Sequence, residues 1–144
     1  SIAETGHLVL TTGHATSAYQ AIERVVDLFP PHEREMSASR LASVLIGILC
    51  QVLVPRLETP GRAVAVEVML ANSAVRNLIR ENKVFQIPNT MRTNLAEGMQ
   101  LLDQALVKLF KDGLISREDL IAFAQDKDQI ARVATASGGP ASPY

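Results

Sequence analysis

Two histidines stand seven residues apart in the opening stretch "AETGHLVLTTGHATSA", His7 and His14, and Thr11 and Thr12 lie just before the second. An imidazole both donates and accepts hydrogen bonds and titrates near neutral pH. With hydroxyls beside it, it can bind a phosphate oxygen or a water, or serve as a metal ligand. A metal site needs a third ligand at plausible spacing, and none follows. The plain alternative is that the histidines bond to nearby backbone at a strand start. A second arrangement lies in "AVRNLIRE", Ala74, Val75, Arg76, Asn77, Leu78, Ile79, Arg80 and Glu81. On a helix Val75, Leu78 and Ile79 share the buried face. Arg76 and Arg80, four apart, lie side by side on another. Two cations at that spacing are tolerated when each has a partner, and they form either a solvated face or an interface contact. Cys50 is the sole cysteine, which excludes an internal disulfide framework and a zinc site of several thiolates.

The elements that must position these groups follow from pattern. His7 to Thr12, with Leu8, Val9 and Leu10 consecutive, reads as a buried strand. Ser17 and Gln20 read as a capping box, each side chain satisfying a free N–H at a helix start. Ala18, Ala21, Ile22, Val25, Val26 and Phe29 mark one face of that helix, which Pro30-Pro31 stops. The second proline opens another helix reaching about Val44. The later part of Val44–Val54 reads as a strand. Pro60-Gly61 is a turn signal, and Val64, Val66, Val68 and Leu70 alternate beyond it, so the pair reads as an antiparallel hairpin. The remainder is helical. Asn72 or Ser73 caps the arginine helix, and Pro88 opens a short helix that includes Met91 and Leu95. Leu102, Ala105, Leu106 and Leu109 form a stripe ended by Gly113. Ser116 and Asp119 start the last helix, with Ile115 and Leu120 as a hydrophobic staple. After about Ala134 the composition falls to "ATASGGPASPY", which can bury little and is expected to be disordered.

A chain of 144 residues suits one domain with a real core, and 47% hydrophobic content with no Trp builds that core from Leu, Val, Ile and Ala. A net charge of −1 gives no electrostatic case for nucleic acid. The longest apolar run, Val44 to Val54, is well short of the roughly 20 residues that span a membrane, so no membrane insertion is expected. The first residue is Ser1 and a strand-like pattern follows almost at once, as expected of a chain that starts inside a longer protein.

The words of the sequence say more than its grammar. "AETGHLVLTTGHATSA", "AIERVVDLFPP", "LVPRLETPGRAVAVEVML", "AVRNLIRENKVFQIPN" and "GMQLLDQALVKLFKDGLIS" occur in this order. Together they resemble the C-terminal half of the motor domain of the type IV pilus twitching-motility (retraction) ATPases, members of the secretion ATPase superfamily. The resemblance covers residues 1 to about 125. It implies an α/β fold: the C-terminal part of a RecA-like P-loop core with a few strands and a β-hairpin, then a helical C-terminal subdomain. The implied division is residues 1–70 for the core half, 71–125 for the helical subdomain and 126–144 for a tail.

The same resemblance assigns roles. His14 is expected to be the nucleotide-state sensor and His7 a supporting residue, with Thr11 and Thr12, and more weakly Glu4, on the nucleotide side. Ala74 to Glu81 is expected to couple nucleotide state to motion. It further implies ATP and Mg2+ as cofactors, a homo-hexamer and an inner-membrane pilus platform protein as partner. The expected location is the cytoplasm, at the inner face of the cytoplasmic membrane. No GxxxxGK[ST] loop is present to cradle phosphates, so this segment alone is expected not to hydrolyse ATP. The sequence departs from the family at "TLHTNSA", where Gly13, Ala15 and Thr16 replace leucine, threonine and asparagine, and at "QRLLPR", where Val52 replaces the first arginine. The alternatives are a pilus-assembly or type II secretion ATPase and a non-catalytic oligomerisation or adaptor module. The first usually carries four zinc-binding cysteines near the hairpin, where Cys50 stands alone.

Overall fold

The structure is a computed structural model that describes residues 2–136. Helix α1, Ala18–Asp27, begins at Ser17, whose hydroxyl accepts from the Gln20 N–H at 3.4 Å. Only half of the capping box forms, because the Gln20 side-chain Oε1 instead accepts from the Thr16 hydroxyl at 2.7 Å. Pro31 opens a 3-10 turn that runs into α2, Arg34–Val44. Strands β1, Gly47–Pro55, and β2, Arg62–Leu70, form the expected antiparallel hairpin. Helix α3, Ser73–Arg80, is capped by Asn72, whose side-chain oxygen accepts from the Val75 N–H at 3.0 Å. Helices α4, Ile87–Thr93, α5, Leu102–Lys111, α6, Arg117–Phe123, and α7, Lys127–Ala136, complete the described chain. Leu95 falls in a separate 3-10 turn after α4.

Two cores lie along the inner face of the long hairpin. Toward its open end α1, α2, α3 and α4 enclose Ile22, Ala42, Met69, Val75, Ile79 and Met91. Toward its turn α5, α6 and α7 enclose Leu106, Phe110, Ile115 and Leu120 against Val54, Ala63 and Ala65. Along β2 the buried set is Ala63, Ala65, Glu67 and Met69, whereas Val64, Val66, Val68 and Leu70 are exposed or half-buried. Alternation therefore marks a strand here, but the larger side chains lie on the outer face. Small alanines on the inner face leave room for α5 to pack close.

Two expectations need correction. Residues 7–12 form no strand: Leu8 is 73% and Leu10 88% exposed. A strand forms only when it is paired, and among the described residues this segment pairs with no other. Here β1 and β2 pair with each other, and the outer edge of β2 takes Gln100, with Val68 N–H to Gln100 O at 2.8 Å and Gln100 N–H to Val68 O at 2.9 Å. Second, the helix that starts at Ser116 is not the last: it ends at Phe123, and α7 follows with Ile130 and Ala134 buried in the second core. The expected disorder of the final stretch falls mainly on residues 137–144, which lie outside the described residues.

Candidate functional site

The His14 segment is an extended loop delivered to the start of α1. Thr11, Thr12 and His14 are all exposed. His14 is held by its main chain: the Arg24 guanidinium, one and a half turns into α1, donates to the His14 carbonyl. His7 lies apart, its Nδ1 3.0 Å from the Thr5 hydroxyl, just after a 3-10 turn at Ala3–Thr5. Glu4 in that turn pairs loosely with Arg40 of α2, Nε to Oε1 4.0 Å. Among the described residues no hydrogen bond joins His7 to His14, and no group of three His, Cys, Asp or Glu side chains is placed to hold a metal.

The residues present do not by themselves fit a nucleoside triphosphate. The sequence has no phosphate loop, the two threonines and His14 are exposed outside any helix or sheet, and the Arg24 guanidinium donates to the His14 carbonyl. The arginine helix is ordered as its spacing predicts, with Val75 and Ile79 fully buried. Its two cations differ, however. Arg80 is exposed and donates to Asn77 Oδ1 at 3.1 Å, whereas half-buried Arg76 donates to the carbonyl of Ala42 on α2.

Sequence reasoning missed the most unusual group in the molecule. Glu67, in the middle of β2, is only 2% exposed. Its Oε1 accepts from the Ala18 N–H at 2.8 Å and its Oε2 from the Leu102 N–H at 3.1 Å. One carboxylate thus meets the first turns of two helices, where free N–H groups and the helix dipole favour negative charge. It supplies what α5 lacks, because the residue before that helix, Leu101, has no side-chain acceptor. Burial pushes the Glu67 carboxyl above its ordinary range. The two N–H donors pull it back, and the charge of Asp103 pushes it up further. Cys50 lies directly across the hairpin from Glu67. Burial raises its thiol, with the Glu67 charge adding to the effect. The signal was present in "AVAVEVML", a lone acid in phase with the two inward alanines.

Residues 1–63 match the family model described as type II/IV secretion system protein. By fold and by this match the chain is an α/β segment similar to part of the type II/IV secretion system ATPases. Its relatives are more particular. The chain is 43% identical over 129 residues to a twitching motility protein of Neisseria gonorrhoeae, covering 90% of this chain and 34% of the relative. It is 47% identical over 117 residues to the type IV pilus retraction ATPase PilT of Pseudomonas aeruginosa, covering 81% of this chain and 34% of the relative. A crystal structure of the pilus retraction motor PilT with bound ADP superimposes with a TM-score of 0.76 at 39% identity, over 88% of this chain and 35% of that one. The chain thus spans about a third of the length of the curated relatives it matches.

Proposed function

We propose that this chain is the C-terminal part of a hexameric ATPase motor that powers type IV pilus retraction. The observation that carries the reading is the joint match, in sequence and in fold, to a pilus retraction motor across nearly all of the chain. In this reading residues 1–70 complete the RecA-like core and 71–125 form the helical subdomain, which α7 extends to Ala136. ATP and Mg2+ are held mainly by segments outside this chain, which contributes His14 as sensor of nucleotide state, His7 as its support, and Thr11, Thr12 and Glu4 nearby. Ala74 to Glu81 passes the change of state to the neighbouring subunit or domain, and Arg80 is its accessible cation. The motor works in the cytoplasm against a pilus platform protein of the inner membrane. An intact "AVRNLIRE" favours retraction over pilus assembly or type II secretion.

The test is made on the complete motor and on this segment side by side. The complete protein is expected to form hexamers, release phosphate from ATP and restore twitching to a strain lacking its retraction motor. The 144-residue segment is expected to show no turnover and no micromolar ATP binding by calorimetry. Turnover by the segment, or a complete protein that restores pilus assembly rather than retraction, overturns the reading.

A further inference from the structure

A ring of side-chain to main-chain bonds closes around the residues that follow His14. Glu67 Oε1 accepts from the Ala18 N–H at 2.8 Å, and Oε2 from the Leu102 N–H at 3.1 Å. The next residue, Asp103, accepts from the main-chain N–H groups of Gln125 at 2.7 Å and Asp126 at 2.9 Å. Gln125, its main chain thus anchored in the turn between α6 and α7, donates from Nε2 to the Thr16 carbonyl at 2.9 Å. Thr16 and Ala18 are two residues apart, so the ring is complete. It ties the loop between His14 and α1 to the starts of α5 and α7, which belong to the other core.

Helix capping accounts for the Leu102 bond alone and leaves the rest of the ring unexplained. α1 already has Ser17 as its cap, and a buried carboxylate costs free energy that an apolar residue at position 67 would avoid. Gln125 reaches across 109 residues of sequence to a loop carbonyl and caps nothing. Gln125 donates to the carbonyl of Thr16 and Arg24 to the carbonyl of His14, so two main-chain oxygens of this loop, two residues apart, are each held by a side-chain donor.

We propose that Glu67 and Gln125 are positioning residues: through the Thr16–Ala18 segment they set where His14 stands relative to the C-terminal helices, so that turnover depends on both although neither touches nucleotide. The inference rests on the reading of His14 as the nucleotide-state sensor. Because the ring spans both cores, it also links any shift of the His14 loop to α5 and α7. Misplacing a reacting or sensing group by about 1 Å is enough to reduce turnover on the order of a hundredfold.

The test uses Glu67→Gln, Glu67→Asp and Gln125→Ala, with His14→Ala alongside. Amide exchange on the 144-residue chain reads the ring itself. Glu67→Gln, which turns an amide N–H2 toward one of the two donors, is expected to speed exchange at Ala18 or Leu102, whichever loses its acceptor, about tenfold or more and leave Val75 unchanged. Steady-state hydrolysis in the complete motor reads the consequence. Glu67→Gln and Gln125→Ala are expected to lower kcat about tenfold with KM for ATP changed less than about twofold, and Glu67→Asp to recover part of the loss. Gln125 is exposed, so its variant folds whether or not Glu67→Gln does. Unchanged exchange at Ala18 and Leu102, or wild-type kcat in Gln125→Ala while His14→Ala is impaired, overturns the positioning role and leaves the sensor reading standing. Wild-type turnover in His14→Ala overturns both.

Discussion

Arg76 donates to the main-chain carbonyl of Ala42, a residue 34 positions earlier in the sequence. Ala42 lies in the last turn of α2, where carbonyls have no partner within the helix and the dipole favours a cation. One turn further along α3, Arg80 bonds among the described residues to Asn77 of its own helix and remains exposed. Equal spacing thus conceals unequal roles, one arginine tying two helices together and the other facing outward.

Replacing each arginine separately by Gln distinguishes them. Arg76→Gln is expected to lower stability by about 1–2 kcal/mol, because a carbonyl at a helix end loses a charged donor. Arg80→Gln is expected to stay within about 0.5 kcal/mol of the parent, as for other exposed positions. Urea denaturation of the two variants decides the matter, and equal midpoints would refute the contact. In the complete motor, Arg80→Gln is expected to impair twitching while phosphate release persists. Normal motility would mean that Arg80 is only solvated.

Gly47 opens β1 opposite Leu70, and a Cβ there would stand 2.8 Å from the main-chain oxygen of Met69. That oxygen belongs to the neighbouring strand and cannot swing aside as a side chain would. Gly47→Ala is therefore expected to destabilise the chain by about 1–3 kcal/mol through forced separation of the strands at the open end of the hairpin. Gly13→Ala, where the added Cβ meets no atom within 4 Å, serves as the control. A thermal melt in which the two variants coincide would contradict this.

Much of this fold was legible in the sequence, because its signals are local. Pro30-Pro31, Pro60-Gly61, Asn72, Ser116 and the Ile115–Leu120 staple act within a few residues, and each is found where its chemistry puts it. What pattern could not supply was pairing. Leu8, Val9 and Leu10 have strand character, but strand formation depends on a neighbouring edge that no local signal reports. The histidines were legible as chemistry, and their partners were not, since the Arg24 bond to His14 uses a main-chain carbonyl that every residue possesses. The partners of Glu67 were hidden for the same reason. Its donors are the backbone N–H groups of Ala18 and Leu102, residues with no polar side chain to hint at the contact.

Cys50 is buried opposite Glu67, and both burial and that neighbouring charge hold its thiol above the ordinary value of 9.0. The reactive species is the thiolate, so the native protein is expected to resist alkylation. At mildly alkaline pH the reaction with a disulfide reagent is expected to run on the order of tenfold or more slower than with a free cysteine peptide. It should reach the peptide rate once the chain is unfolded in urea. A native rate equal to the peptide's would show that the hairpin does not bury this position.

The Glu67 carboxyl gives a pH dependence of a definite sign. Its folded-state pKa lies above the ordinary 4.5, chiefly through burial and further through the charge of Asp103, with the Ala18 and Leu102 N–H groups opposing. The folded chain therefore holds this proton more tightly than the unfolded chain does. Stability changes with pH as the protons bound by the unfolded state minus those bound by the native state, so the slope from this group is negative. Its contribution is fully present below 4.5 and is lost as pH rises through the raised folded value. Other carboxylates are common to the parent and to Glu67→Gln, so the difference between the two isolates this one group. The parent's advantage over Glu67→Gln is expected to be greatest near pH 4 and to shrink toward pH 7, by about 1.4 kcal/mol for each unit by which the pKa is raised. Denaturant unfolding of both chains at intervals of half a pH unit measures it. An advantage that grows with pH would mean that the two helix N-termini outweigh burial and that Glu67 works best as the ionised carboxylate.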